Sequence, residues 1–126
     1  MHFLIPALIT SAESEALLRL TIEHIPAAAE ARVIVISQGR QPSLVRPSHI
    51  RELLGEHHEL PLAKWAAIAR GCGLLPDGFS QVVLLDADDP VDPASLLAAM
   101  PRISLEPEWC FIGRRREISL FAADAL

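Results

Sequence analysis

The residues best suited to chemistry are three carboxylates within four positions, Asp86, Asp88 and Asp89, directly after the apolar run Val82-Val-Leu-Leu85. Crowded carboxylates repel one another and are costly to hold near a core, so a cation or solvent must compensate them. Carboxylate oxygens are hard ligands suited to magnesium or manganese, ions that keep several waters and share their remaining positions with substrate phosphates. The expected chemistry is therefore a divalent ion, Mg2+ or Mn2+, held by this carboxylate cluster against the diphosphate of a nucleotide. The plainer alternative is an acidic turn after a strand, punctuated by Asp89-Pro90, with Asp92 capping the next helix.

Other polar clusters carry less. Arg114, Arg115 and Arg116 are able to bind phosphate, as guanidinium groups do well, but a solvated face at a strand end accounts for them more simply. His57 and His58 stand beside Glu56 and Glu59, yet four adjacent residues do not all converge, and they lack the i, i+4 histidine pairing of helical zinc sites. Trp65 and Trp109 are expected in a core or an interface. Cys72 and Cys110 lie far apart without a second pair, which implies buried free thiols and a reducing cytoplasm.

The elements that must position the acidic turn follow from periodicity. His2-Phe-Leu-Ile-Pro6 reads as a short buried strand ended by its proline. Thr10 and Glu13 form a Thr-x-x-Glu capping box, and Leu17, Leu18, Ile22 and Ile25 continue at helical spacing until Pro26. Val33-Ile-Val-Ile36 is a β-branched run covered on both faces, leading into a turn at Ser37-Gln-Gly39. Residues 40–47 read as a loop, followed by a weak helix from Ser48 to Leu54. A small-residue helix spans Leu62 to Leu75, and Pro76-Asp-Gly78 is a turn. Val82 to Leu85 is the third strand. Asp92 caps a helix that begins at Pro93 and runs to about Met100, and Trp109-Cys-Phe-Ile112 is a fourth strand. The order β-α-β-(α)-α-β-α-β predicts an α/β fold with three α/β/α layers, a mostly parallel sheet and a site at the strands' carboxyl ends.

Composition bounds the rest. A chain of 126 residues, just over half of them apolar, supports one domain with a real core. Its net charge of -5 argues against a general affinity for nucleic acid. Phe3 to Ile9 lacks the basic leader of a signal peptide, and no apolar run reaches the roughly 20 residues of a membrane span, so a soluble cytoplasmic protein is expected.

Taken in order, Ala63-Lys-Trp-Ala-Ala-Ile-Ala-Arg-Gly71 and then Val82-Val-Leu-Leu-Asp-Ala-Asp-Asp89 resemble the core of family-two glycosyltransferases. In that family a Lys/Gly/Ala-rich helix precedes a strand ending in Asp-Ala-Asp-Asp. Phe3-Leu-Ile-Pro6 is similar to the family's opening strand and Val33-Ile-Val-Ile-Ser-Gln-Gly39 to its second, so the resemblance covers roughly residues 2 to 113. The chain is also similar to mannosyl-3-phosphoglycerate synthases and related transferases. The resemblance implies a Rossmann-like GT-A fold and a UDP- or GDP-linked sugar as donor. It implies that Asp88 ligates the metal, that Asp86 contacts the ribose or a metal-bound water, and that Asp89 supports either role. Pro6, Ala7, Ser37, Gln38 and Gly39 would line the nucleoside pocket, with Lys64 on the helix facing it. Two departures stand out: Ser37-Gln38 occupies the place of the acidic residue that usually ends the second strand, and Ala69 that of an asparagine on the helix.

The family continues past the metal motif with an acceptor-binding half that supplies a catalytic base, and these 126 residues contain no counterpart. Glu117 and Asp124 are the only carboxylates after the last expected strand, and neither sits in a recognisable motif. The base and the acceptor therefore stay unassigned, and a truncated donor-binding half is expected. A non-catalytic nucleotide-binding or assembly module is the alternative; a receiver-like or phosphatase-like domain fits less well, lacking an early aspartate pair or an Asp-x-Asp-x-Thr pattern. A homo-oligomer is also expected, formed through the apolar tail Ile118-Ser-Leu-Phe-Ala-Ala122.

Overall fold

The computed structural model describes residues 1–78, 82–88, 90 and 92–105. The chain runs β1 (His2–Ile9), α1 (Ala12–Glu23), a 3-10 turn at Ala27–Ala29, β2 (Arg32–Gly39), β3 (Glu52–His58), α2 (Lys64–Cys72), β4 (Val82–Leu84) and α3 (Pro93–Leu105). The four strands form one sheet in the order β3-β2-β1-β4, every neighbouring pair parallel. The expected strand Trp109–Ile112, the arginines 114–116, Glu117, Asp124, Cys110 and the apolar tail all lie outside the described residues.

The sheet is covered on both faces. Phe3, Ile5, Ala7, Ile9, Val33 and Val35 point to one side and pack with Leu18 and Ile22 of α1 and Leu96 of α3. The alternate residues Leu4, Ile34 and Ile36 point to the other side and pack on Ala67 of α2. This division explains why β1 and β2 read as unbroken apolar runs: a central parallel strand buries both faces, so neither is left for polar alternation. Helix α2 lies very close to β1. A Cβ built on Gly71 would fall 2.1 Å from Leu4 Cδ1, so the absence of a side chain there sets the spacing between the layers.

Four details differ from the sequence expectations. Strand β1 does not stop at Pro6 but pairs with β2 through Ile9. Leu4 accepts from Leu85 N–H on the β4 side, so Pro6, two residues on, turns the same edge outward where β4 has already ended; its missing N–H deprives no partner. Helix α1 begins one residue later than expected, with Ser11 as N-cap and Ser14 completing the box in place of Thr10 and Glu13. Ser37 and Gln38 are buried strand residues rather than a turn, and the chain bends at Gly39, where φ is +82°.

The expected helix from Ser48 to Leu54 is instead the approach to β3, an edge strand among the described residues. The irregular connection leading to it is tied to α1: Glu15 accepts from Ser43 N–H at 2.9 Å, Arg19 donates to the Ser43 carbonyl, and Arg19 pairs with Glu15 at 2.8 Å. Ile50 fills the core beneath it.

Candidate functional site

Strand order reverses between β1 and β4. From β1 the chain moves outward through β2 to β3, then crosses back under α2 to place β4 on β1's other side. Such a switch point is where open parallel sheets bind ligands, outside the strands' carboxyl ends. Here α1, which follows β1, and α3, which follows β4, pack on one face, with α2 on the other. The two strands at this point differ in length. Leu84 pairs with Leu4 and ends β4, while β1 runs on to Ile9. Asp86, Ala87 and Asp88 follow just beyond the β4 ladder, at the carboxyl end of the sheet.

Two contacts fix this turn. Lys64, the first residue of α2, donates from Nζ to Asp86 Oδ1 at 2.7 Å, with both side chains about half exposed. On the opposite face, Thr21 Oγ1 lies 2.8 Å from the Ala87 carbonyl oxygen and 2.9 Å from that of Leu17, one hydroxyl proton between two acceptors. Thr21 is fully buried. Asp92 accepts from the Ser95 main-chain N–H and hydroxyl, capping α3 as the sequence predicts.

Among the described residues no three His, Cys, Asp or Glu side chains are grouped closely enough to hold a metal by themselves. A magnesium-type ion needs only one or two protein carboxylates when phosphates and waters complete its shell, and Asp86 and Asp88 supply that number. Asp89, the third acidic candidate, lies outside the described residues.

The remaining predicted site residues divide. Pro6 and Ala7 are buried within β1, beside Ile36 and Ser37 of β2. Ser37 Oγ shares a 2.8 Å hydrogen bond with His57 Nδ1 of β3. Gln38 Oε1 accepts from the Leu62 main-chain N–H on the other face, anchoring the segment that enters α2. The side chains of Ser37 and Gln38 thus face inward and brace neighbouring elements, and Gly39 marks the strand's outlet. The structure brings Lys64 to Asp86 but gives Ser37 and Gln38 supporting contacts away from that pair.

Trp65, expected in a core or an interface, is not in the core: it is 77% exposed, next to Lys64 at the start of α2. Cys72, expected to be buried, is exposed. His57 and His58 point to opposite faces of β3, as successive strand residues must, so they do not converge. His58 instead pairs with Glu56 at 3.1 Å, and Glu56 also accepts from Arg70 of α2. That guanidinium contact, with the nearby His58, holds the Glu56 carboxyl below its ordinary value despite some desolvation.

Thr21 and Leu62 were missed by sequence reasoning. Thr21 did leave a signal: it is a polar residue on the helical stripe formed by Leu18, Ile22 and Ile25. No helix among the described residues is long and apolar enough to cross a membrane. No protein-family model matches the chain, and no curated protein or solved structure matches it either.

Proposed function

We propose that this chain is the donor-binding domain of a glycosyltransferase, taking a UDP- or GDP-linked sugar with a divalent cation on a GT-A-type nucleotide-binding sheet. The observation that carries the reading is the position of Asp86-Ala-Asp88 just past β4 at the carboxyl end of a parallel sheet, where strand order reverses. Open parallel sheets bind their ligands at that point. The donor set suits the ion: two hard carboxylates one residue apart, one of which already holds an ammonium in the place of a cation.

In this reading Asp88 is a metal ligand, and Asp86 is a second ligand or holds the ribose through water. Lys64 faces the diphosphate. When bound, the ion neutralises charge on the departing nucleotide diphosphate. Thr21 keeps the backbone between the two aspartates in place, and Gln38 holds the segment entering α2, hence Lys64, beside Asp86.

Titration calorimetry with UDP- and GDP-sugars, with and without manganese, tests the proposal. Saturable binding that requires the metal is expected for at least one nucleotide. Absence of metal-dependent binding to any nucleotide diphosphate overturns it.

A further inference from the structure

We infer that Lys64 is a tethered counter-cation, competing with the divalent ion for Asp86 and passing to the diphosphate once the ion is bound. The inference rests on the metal and nucleotide reading above and concerns how that site is loaded.

The root of Lys64 is fixed while its head is free. Lys64 lies on the same stripe of α2 as Ala67 and Gly71, the residues that press on the sheet, and Gly71 leaves no room for the helix to move closer to Leu4. The segment entering the helix is held by Gln38 through Leu62 N–H. Beyond the Cα, a flexible four-carbon stem carries the ammonium to Asp86 Oδ1, and the ion pair is open to solvent, with side-chain exposures of 57% and 42%.

An exposed pair of this kind favours contact by only about 1.4- to 5-fold. It is strong enough to occupy the carboxylate in the metal-free protein and weak enough for an entering ion to displace it. A divalent ion on Asp86 places a second positive charge within one carboxylate of the ammonium, and the two repel. The diphosphate then offers Lys64 a new partner, which an ammonium binds as a point charge. One side chain therefore weakens binding of the bare ion and strengthens binding of the ion together with a nucleotide.

Lys64→Met in the full chain reverses these effects in opposite directions. Mn2+ alone, followed by calorimetry and by the electron paramagnetic resonance of free Mn2+, is expected to bind the variant about two- to fivefold more tightly than the parent. UDP or GDP, whichever the parent binds, is expected at saturating Mn2+ to bind it at least about fivefold more weakly. A merely structural role would move both affinities the same way, together with the melting temperature. If Lys64→Met folds poorly by circular dichroism, Lys64→Gln removes the charge with a polar, helix-compatible side chain. Parent binding of Mn2+ and either nucleotide with any other pattern in the variant overturns the inference and leaves the function standing. Absence of Mn2+-dependent binding of both UDP and GDP by the parent overturns both.

Discussion

The buried hydroxyl of Thr21 lies 2.8 Å from the main-chain carbonyl oxygen of Ala87, joining helix α1 to the residue between the two aspartates. Thr21→Val keeps the shape and the β-branch but leaves that carbonyl without its donor. A loss of about 1–2 kcal/mol in urea denaturation is expected, together with weaker manganese-dependent nucleotide binding. Thr21→Ser, which keeps the hydroxyl, is expected to retain the binding even if stability falls. Equal nucleotide affinity in the valine variant and the parent would remove Thr21 from the site.

Asp88→Asn changes charge at nearly constant volume. It is expected to abolish manganese-assisted nucleotide binding while leaving the circular dichroism spectrum and melting curve close to those of the parent. Asp86→Asn gives up only the half-exposed pair with Lys64, a stability change of about 0–1 kcal/mol, and is expected to weaken nucleotide binding less than Asp88→Asn. Unchanged manganese-dependent affinity in Asp88→Asn contradicts the assignment of that ligand.

Gly71 and Gly55 give opposite responses to alanine. Gly→Ala inside a helix ordinarily stabilises by about 1 kcal/mol, but at Gly71 the new methyl would meet Leu4 Cδ1, Cδ2 and Cγ, a side chain already buried. A net loss of about 1–3 kcal/mol is expected from overpacking. Around Gly55 nothing lies within 4 Å, and Gly55→Ala is expected to be neutral or slightly stabilising. Equilibrium urea titrations of the two variants side by side decide the matter.

Glu56 supplies a pH dependence. Its carboxyl is held below the ordinary value, mainly by the hydrogen bond from Arg70. The folded protein therefore binds the proton less readily than the unfolded chain. The associated stability is fully present above the unfolded value of about 4.3 and is lost as pH falls through the lower folded value. The urea midpoint is expected to drop across that acidic window in the parent and to drop less in Glu56→Gln. A parallel decline in both proteins would show that the pair with Arg70 contributes nothing.

The central strands were legible because burial on both faces leaves β1 and β2 almost purely apolar, a pattern that local sequence carries by itself. Strand β3 was not, since an edge strand rich in Glu and His satisfies neither the alternating nor the continuous template, and its identity comes from pairing with β2. Pro6 misled for a related reason: a proline ends a strand only where its N–H would have been used, and that depends on where β4 stops. At the site, Asp86, Asp88 and Lys64 were legible as residue types. The contact of Thr21 with Ala87 and that of Gln38 with Leu62 join distant parts of the chain, and nothing within either segment announces its partner.

The placement of β4 also has a consequence for the order in which the molecule assembles. Its ladder with β1 covers only three register positions and joins residues roughly 80 apart in the chain, whereas β1 and β2 meet along their full length across roughly 30. Closing the larger loop costs more entropy, and the shorter ladder returns less for it. The β1–β2 pair is therefore the early, slowly exchanging centre, and β4 with its acidic turn docks late and opens first. The acidic turn at Asp86 and Asp88 thus sits on a part of the sheet expected to open before the β1–β2 pair, and a ligand bridging the turn to α2 is expected to slow amide exchange there more than anywhere in β1.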